Sequence, residues 1–347
     1  MSFSSIYGQE GPITVLRNAI GNERVPHAFL FYGAEGIGKR TTALVFAKAL
    51  NCKEGGTDAC DTCTSCRKID SGNHPDILII KPDGQFIKVA DIKELQERLR
   101  FLPLEGAKRI VIIDDAERMN ITSANSLLKT LEEPSPTNVF VLVSSRPHLL
   151  PMTILSRCHR LRFNPVQRDV IAAFLEKERS LEHDKAIIVA SSAGGSIGRA
   201  LSLHKGDYLA LRDSILGRVS KGALDPLGCL ALAGGLAGDK EEILEALDIL
   251  KTWYRDLLVF KETGRAEALI NQDQKGGIER LAGSLSGEAI FRGVGAIQAA
   301  AAAIERNVNK QLTLETMVFT LFANKANFVE DSRRDRKESE GGKVKST

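Results

Sequence analysis

One stretch of nine residues, GAEGIGKRT at positions 33–41, limits what this chain can become more than any other. It follows the apolar run 29–32 and opens an alanine-rich helical pattern reaching Leu50, so a strand, a glycine loop and a helix succeed one another. The spacing fits G-x-x-x-x-G-K at Gly33, Gly38 and Lys39, in the strand-to-helix setting that a phosphate loop requires. Gly33, Gly36 and Gly38 let backbone N–H groups curl around phosphate oxygens, the helix N-terminus adds positive potential, and Lys39 reaches the terminal phosphates. The alternative is a glycine-rich turn that binds nothing.

The machinery for hydrolysis departs from expectation at two places. The residue after the loop lysine should offer a hydroxyl to Mg²⁺, and here it is Arg40. Thr41, one residue later, is rotated by about 100° around the helix and is a poor substitute. Downstream, IVIIDDAERM at 110–119 is an apolar strand ending in two acids, the Walker B position. Asp114 is placed to hold Mg²⁺, whereas Asp115 stands where an active ATPase usually has a glutamate. The missing methylene, ~1.5 Å, can cost about a hundredfold in rate. Binding of ATP or ADP is compatible with what remains; magnesium-dependent hydrolysis is not expected. Two acids capping a strand for solubility would be the plainer reading if no phosphate loop lay upstream.

Four of the six cysteines crowd together as Cys52, Cys60, Cys63 and Cys66, the last three in two successive C-x-x-C spacings. Such turns present four thiolates to a tetrahedral Zn²⁺ and leave no position for water, which points to structural rather than catalytic zinc. A cluster of free thiols is the competing reading. Cys158 and Cys229 are expected to be packed core thiols, and His27, in an apolar flank, a structural residue. No histidine pair has metal-binding spacing.

Around these motifs, β-rich runs at 28–32, 77–80, 109–113, 138–144 and 160–163 alternate with helical patterns at 39–50 and 123–133, which implies a parallel sheet covered by helices. Asp91 followed by Glu94 reads as a capping box, with Ile92, Leu95 and Leu99 as an apolar stripe. Beyond Pro165 the pattern is helical almost throughout. The expected division is therefore 1–164 as the α/β domain with its cysteine module at 52–66, 165–206 as a small helical lid, 207–328 as a helical collar, and 329–347 as a disordered charged tail. The alanines at 299–303 suit close helix packing, in an oligomer collar or an ordinary core.

Composition excludes several classes. With 347 residues, 43% hydrophobic and 26% charged, the chain can bury more than one core. A net charge of +3 is too small for gripping duplex DNA by bulk electrostatics, and 5% aromatics too few for a base-stacking surface. The N-terminus has neither the basic nor the apolar segment of a signal peptide, and no run is long enough for a bilayer, so a cytoplasmic protein without membrane contact is expected.

Taken with four further strings, these motifs resemble the clamp-loader branch of the AAA+ family. The strings are IYGQE at 6–10, VPHAFLFYG at 25–33, SANSLLKTLEEP at 123–134 and LPMTILSRC at 150–158; weaker likeness runs through WYRDLL at 253–258 and NVNKQLTLE at 307–315. The resemblance implies a AAA+ P-loop fold with an inserted zinc module, a lid and a collar. It also implies a subunit of the DNA polymerase III clamp loader, within a pentameric ring with delta and gamma or tau subunits that places the sliding β clamp on primer–template DNA. By motif match, Arg157 of the SRC string reaches in trans to the ATP of a neighbouring subunit, where an arginine finger is worth about 10³ to 10⁵ in rate. Ser144 and Ser145 fall at the sensor 1 position; GSIGRAL at 195–201 resembles sensor 2, with Arg199 one place late. The resemblance thus favours a non-motor subunit with weak or absent ATPase. An active gamma- or tau-type motor and a zinc-dependent nucleic-acid module are the rival readings.

Overall fold

The computed structural model describes residues 1–322, and the expected tail at 329–347 lies outside them. Five strands, β1 (Ala28–Tyr32), β2 (Ile77–Ile80), β3 (Arg109–Ile113), β4 (Asn138–Ser144) and β5 (His159–Arg162), form one sheet in the order β2-β3-β4-β1-β5. Every pairing is parallel. The central strands read as unbroken apolar runs, AFLFY, RIVII and NVFVLVS, because helices cover both of their faces. Alternate side chains enter opposite cores. Phe29, Phe31, Ile110, Ile112 and Val141 pack with Leu16 of α1 (Glu10–Gly21) and Phe46 of α2 (Lys39–Leu50). Leu30, Val111, Phe140 and Leu142 face the other way, toward the helices that carry Ile92, Leu95, Ala124 and Leu127.

The short α3 (Thr64–Asp70) follows the cysteine turns, and α4 (Val89–Leu99) buries Ile92 and Leu95. This helix starts two residues before the expected cap: Lys88 is the N-cap, and its N–H donates to Asp91, which sits one turn inside rather than at the boundary. Helices α5 (Ile121–Glu132) and α6 (Met152–Leu155) flank β4. At the sheet edge β5 buries only Leu161 and exposes His159, Arg160 and Arg162, charges that discourage pairing with a further strand.

Beyond β5 come α7 (Arg168–Arg179), α8 (His183–Ser192) and α9 (Ile197–Lys205). Contacts divide the chain into two compact units, Met1–Ser202 and Leu203–Thr347, so α7 and α8 are counted with the sheet. The second unit is all helical in its described residues: α10 (Tyr208–Val219), α11 (Pro226–Gly235), α12 (Lys240–Thr263), α13 (Lys275–Ser284), α14 (Gly287–Glu305) and α15 (Lys310–Phe322). The 24-residue α12 buries Trp253 completely and starts at a capping box between Asp239 and Glu242. It meets α14 closely at Gly293, where a Cβ would come within 2.2 Å of the Tyr254 ring. In the alanine run, Ala300 is buried while Ala299 and Ala302 are exposed.

Parallel strands put all their C-terminal ends on one edge of the sheet. The chain leaves β1 there into residues 33–41 and leaves β3 there into Asp114, on either side of β4. This is the edge where open α/β sheets bind ligands.

Candidate functional site

The loop after β1 takes backbone conformations that only glycine adopts at no cost: φ is 149° at Gly33, 71° at Gly36 and 98° at Gly38, the residue that caps α2. Among the described residues, no acceptor is paired with the amides of Ala34, Glu35, Ile37, Gly38 or Lys39, so the loop forms an open nest of donors. Lys39 is buried and folded onto its own loop, donating to the Gly33 and Ala34 carbonyls at 2.7 and 2.5 Å. Burial lowers its pKa, opposed by Glu117, Glu35, Asp115 and Asp114.

Arg40 is not merely a missing hydroxyl. Its Nε lies 3.3 Å from Asp114 Oδ2, so the residue in the place of the magnesium ligand pairs with the acid at the end of β3. Burial raises the Asp114 pKa, and the Arg40 charge works against that rise. Asp115 adopts the left-handed conformation, φ 47°, and turns toward Arg118 at 3.8 Å. Thr41 is half-buried on α2, while Thr42 is fully buried and bonded to the Gly38 carbonyl.

Two residues that the motifs did not announce complete the surroundings. The Glu117 side chain is 2% exposed; it accepts from the Ser145 N–H at 3.1 Å and hydroxyl at 2.6 Å, and its Oε2 is buried without a partner. Burial opposes its ionisation, but the serine donors outweigh burial and hold its pKa down. Ser144 accepts the Arg146 N–H, and its carbonyl receives the Gly33 N–H, so the strand-end serines do border the loop. Gln9, within IYGQE, is buried and donates to the carbonyls of Ile37 and Asn164 while accepting the Asn164 N–H. It bolts the glycine loop to the segment that follows β5. The only available signal for either residue was the family string itself or an acid three places beyond Asp114.

The sensor-2-like string lies directly on the loop. Gly198 N–H donates to Gly36 O at 2.8 Å, and a Cβ on Gly36 would meet Ser196 Oγ at 2.3 Å. The Arg199 N–H donates to Ser196 Oγ.

Arg157 is elsewhere. It follows α6 and precedes β5, whose His159 pairs in register with Phe29 of β1. From that level to Gly33 is four strand steps, about 13 Å, and Arg157 lies on the side away from the loop. Its guanidinium is one-third exposed, held 2.7 Å from Glu132 and 2.9 Å from the Thr153 carbonyl. It does not touch this chain's own phosphate loop.

In the cysteine cluster the four Sγ atoms of Cys52, Cys60, Cys63 and Cys66 all lie within 4.8 Å of one another, with Cys60 and Cys66 3.9 Å apart. That spacing suits four sulfurs at ~2.3 Å from one tetrahedral ion. Cys63 caps α3 and accepts the Cys66 N–H, and Cys60 accepts the Cys63 N–H. The Thr62 hydroxyl and the Cys63 amide bring the half-buried Cys60 thiol down to about 6, as a metal ligand needs. These four residues can hold a metal ion. Lys48, 1% exposed, ties α2 to this module through Asp61 at 2.5 Å and Asp70 at 2.7 Å. Cys158 and Cys229 are buried. No described helix is long and apolar enough to cross a membrane.

A parallel sheet with a glycine loop after β1, an acid pair after β3 and a helical segment laid on the loop defines a protein of the AAA+ P-loop class. Residues 8–167 match the family described as DNA polymerase III, delta subunit, and residues 207–321 match its C-terminal counterpart. The chain is 33% identical over 315 residues to DNA polymerase III subunit delta' of Bacillus subtilis, spanning 88% of this chain and 94% of that protein. It is 29% identical over 294 residues to DNA polymerase III subunit tau of Bacillus subtilis, spanning 78% of this chain and 52% of that one. A DNA polymerase III gamma subunit-related protein of Thermotoga maritima aligns at a TM-score of 0.42 with 20% identity, over 89% of this chain and 98% of that one. The chain belongs to the delta' family of DNA polymerase III clamp-loader subunits.

Proposed function

We propose that this chain is a non-motor subunit of a pentameric clamp-loader ring, which helps place the sliding β clamp on primer–template DNA and offers Arg157 to the ATP of an adjacent gamma or tau subunit. The observation that carries this reading is the separation of Arg157 from the loop at 33–41: a guanidinium on the opposite side of the sheet has a use at a phosphate only if that phosphate belongs to another chain. Before assembly its charge is balanced by Glu132. On assembly it exchanges one carboxylate for phosphate oxygens, whose negative charge grows during transfer, and a permanently charged planar fork suits them. Delta is the other expected neighbour.

Within this reading, residues 165–206 act as the lid and 207–328 as the collar. Gly33, Gly36, Gly38, Lys39, Arg40, Thr41, Asp114 and Asp115 form a degenerate nucleotide site. Cys52, Cys60, Cys63 and Cys66 hold a structural zinc, which fixes a 15-residue segment too small to have a core of its own. Departure of Arg40 and Asp115 from the hydrolytic pattern favours this over the gamma- or tau-type motor.

The test is a ring reconstituted with delta and gamma or tau subunits. Arg157→Ala, a partly exposed position, leaves the chain folded and the ring assembled while DNA-stimulated ATP turnover falls roughly tenfold or more. Full turnover by the variant ring removes the assignment.

A further inference from the structure

The geometry points to Arg40 as a built-in counter-cation, standing where a divalent ion stands in an active enzyme of this fold, so that the loop takes the phosphates of a nucleoside diphosphate without a metal ion. This deepens the reading of residues 33–41 as a nucleotide site and rests on it.

Three observations converge. The Arg40 Nε is 3.3 Å from Asp114 Oδ2, and the arginine remains 43% exposed against 17% for the aspartate. A guanidinium has five N–H donors. The Asp114 pair engages one side of it, and among the described residues no other ion pair or hydrogen bond is recorded for the side chain, which leaves donors for an anion. Next to it lies the nest of unpaired loop amides, with open space above Gly38, where an added Cβ would meet nothing within 4 Å.

Charge balance explains why a cation is needed here. Four acids surround Lys39: Glu35, Asp114, Asp115 and Glu117. Arg118 stands 3.8 Å from Asp115 and Arg146 4.0 Å from Glu117, which leaves Glu35, exposed to water on the loop, and Asp114, the more buried of the two, as the acids that would repel a phosphate there. In an active enzyme Mg²⁺ bridges the acid in the Asp114 position and the phosphates. Here Arg40 cancels the same charge from the first turn of α2. A monovalent organic cation polarises no water, so binding is retained without hydrolytic activation.

The experiment is calorimetric titration of ADP into the full-length chain, with Mg²⁺ present and again in buffer freed of divalent ions by passage over a chelating resin, which spares the cysteine cluster from free chelator. The wild type is expected to bind ADP in the metal-free buffer, and Mg²⁺, which itself complexes free ADP, is expected not to tighten that binding. Arg40→Thr weakens binding in metal-free buffer by about tenfold or more, and Mg²⁺ restores it. Arg40→Lys, which keeps the charge, retains metal-free binding. Circular dichroism melting confirms that each variant is folded. If wild-type binding requires Mg²⁺, Arg40 does not replace the ion. If the wild type binds nothing while Arg40→Thr binds Mg·ADP, Arg40 plugs the site and the inference is overturned. If neither binds but the Arg157 experiment succeeds, the nucleotide inference fails and the ring assignment stands.

Discussion

Asp76 is fully buried just ahead of β2, and its two oxygens accept the N–H groups of Leu104, Glu105 and Gly106 together with the Arg109 guanidinium. Arg109 in turn donates to the carbonyls of Arg98, Phe101 and Leu102. One ion pair therefore shapes the loop that leads into β3 and sets where Asp114 emerges. Burial works against the Asp76 anion, but these donors outweigh it and depress its pKa. A depressed carboxylate contributes stability that is complete above the unfolded value, ~3.9, and is lost as pH falls through the lower folded value. Asp76→Asn removes the charge and leaves Arg109 without its buried anion, at a cost of about 3–5 kcal/mol. Urea midpoints measured from pH 7 to pH 3 should show both the loss and a flatter acid limb in the variant; an unchanged acid limb would show that Asp76 is not the group responsible. Sequence reading did not find Asp76, because its partners lie in a loop whose path depends on it.

At the scale of elements, the strands were legible and the pairing of side chains across them was not. Apolar runs bounded by glycine, proline or charge located all five strands, with β5 displaced by one residue. The start of α4 was misread because Lys88 is a poor cap by residue type, and only the structure shows Asp91 reaching back to its amide. The position of the glycine loop after β1 and of the acids after β3 was legible because glycine spacing and strand-end acids are local signals. The Arg40–Asp114 pair, Glu117 with Ser145 and Gln9 with the loop all join distant elements, so nothing local announced them. The cysteine module lies between these cases: its spacing was local, and Lys48, its anchor to α2, was not. We expect purified chain to carry zinc equimolar with protein by elemental analysis. Cys60→Ser should lower that content and the melting temperature together, since metal-binding energy is folding energy in so small a segment. Equal melting of metal-loaded and metal-free protein would argue against a structural ion.

At the scale of the whole molecule, the isolated chain is expected to hydrolyse ATP no faster than a Lys39→Ala variant, with Mg²⁺ present, because the metal-ligand hydroxyl and the longer acid are both replaced. Turnover that is clear in the wild type and disappears with Lys39→Ala would instead identify a motor. The contacts separate the chain after Ser202 rather than directly after the sheet; Gln9 bonds to Asn164 and Ile37, and Gly198 to Gly36, so the residues that follow β5 are tied to the loop. Helical periodicity alone carried no information about that attachment.

Parallel strands also give the molecule a front and a back. The glycine loop opens on one and Arg157 stands toward the other, so the two meet only where a second chain brings its front against this chain's back. Where such contacts repeat nose to tail, each member faces the same way around, and the series closes on itself or runs on according to the rotation between neighbours.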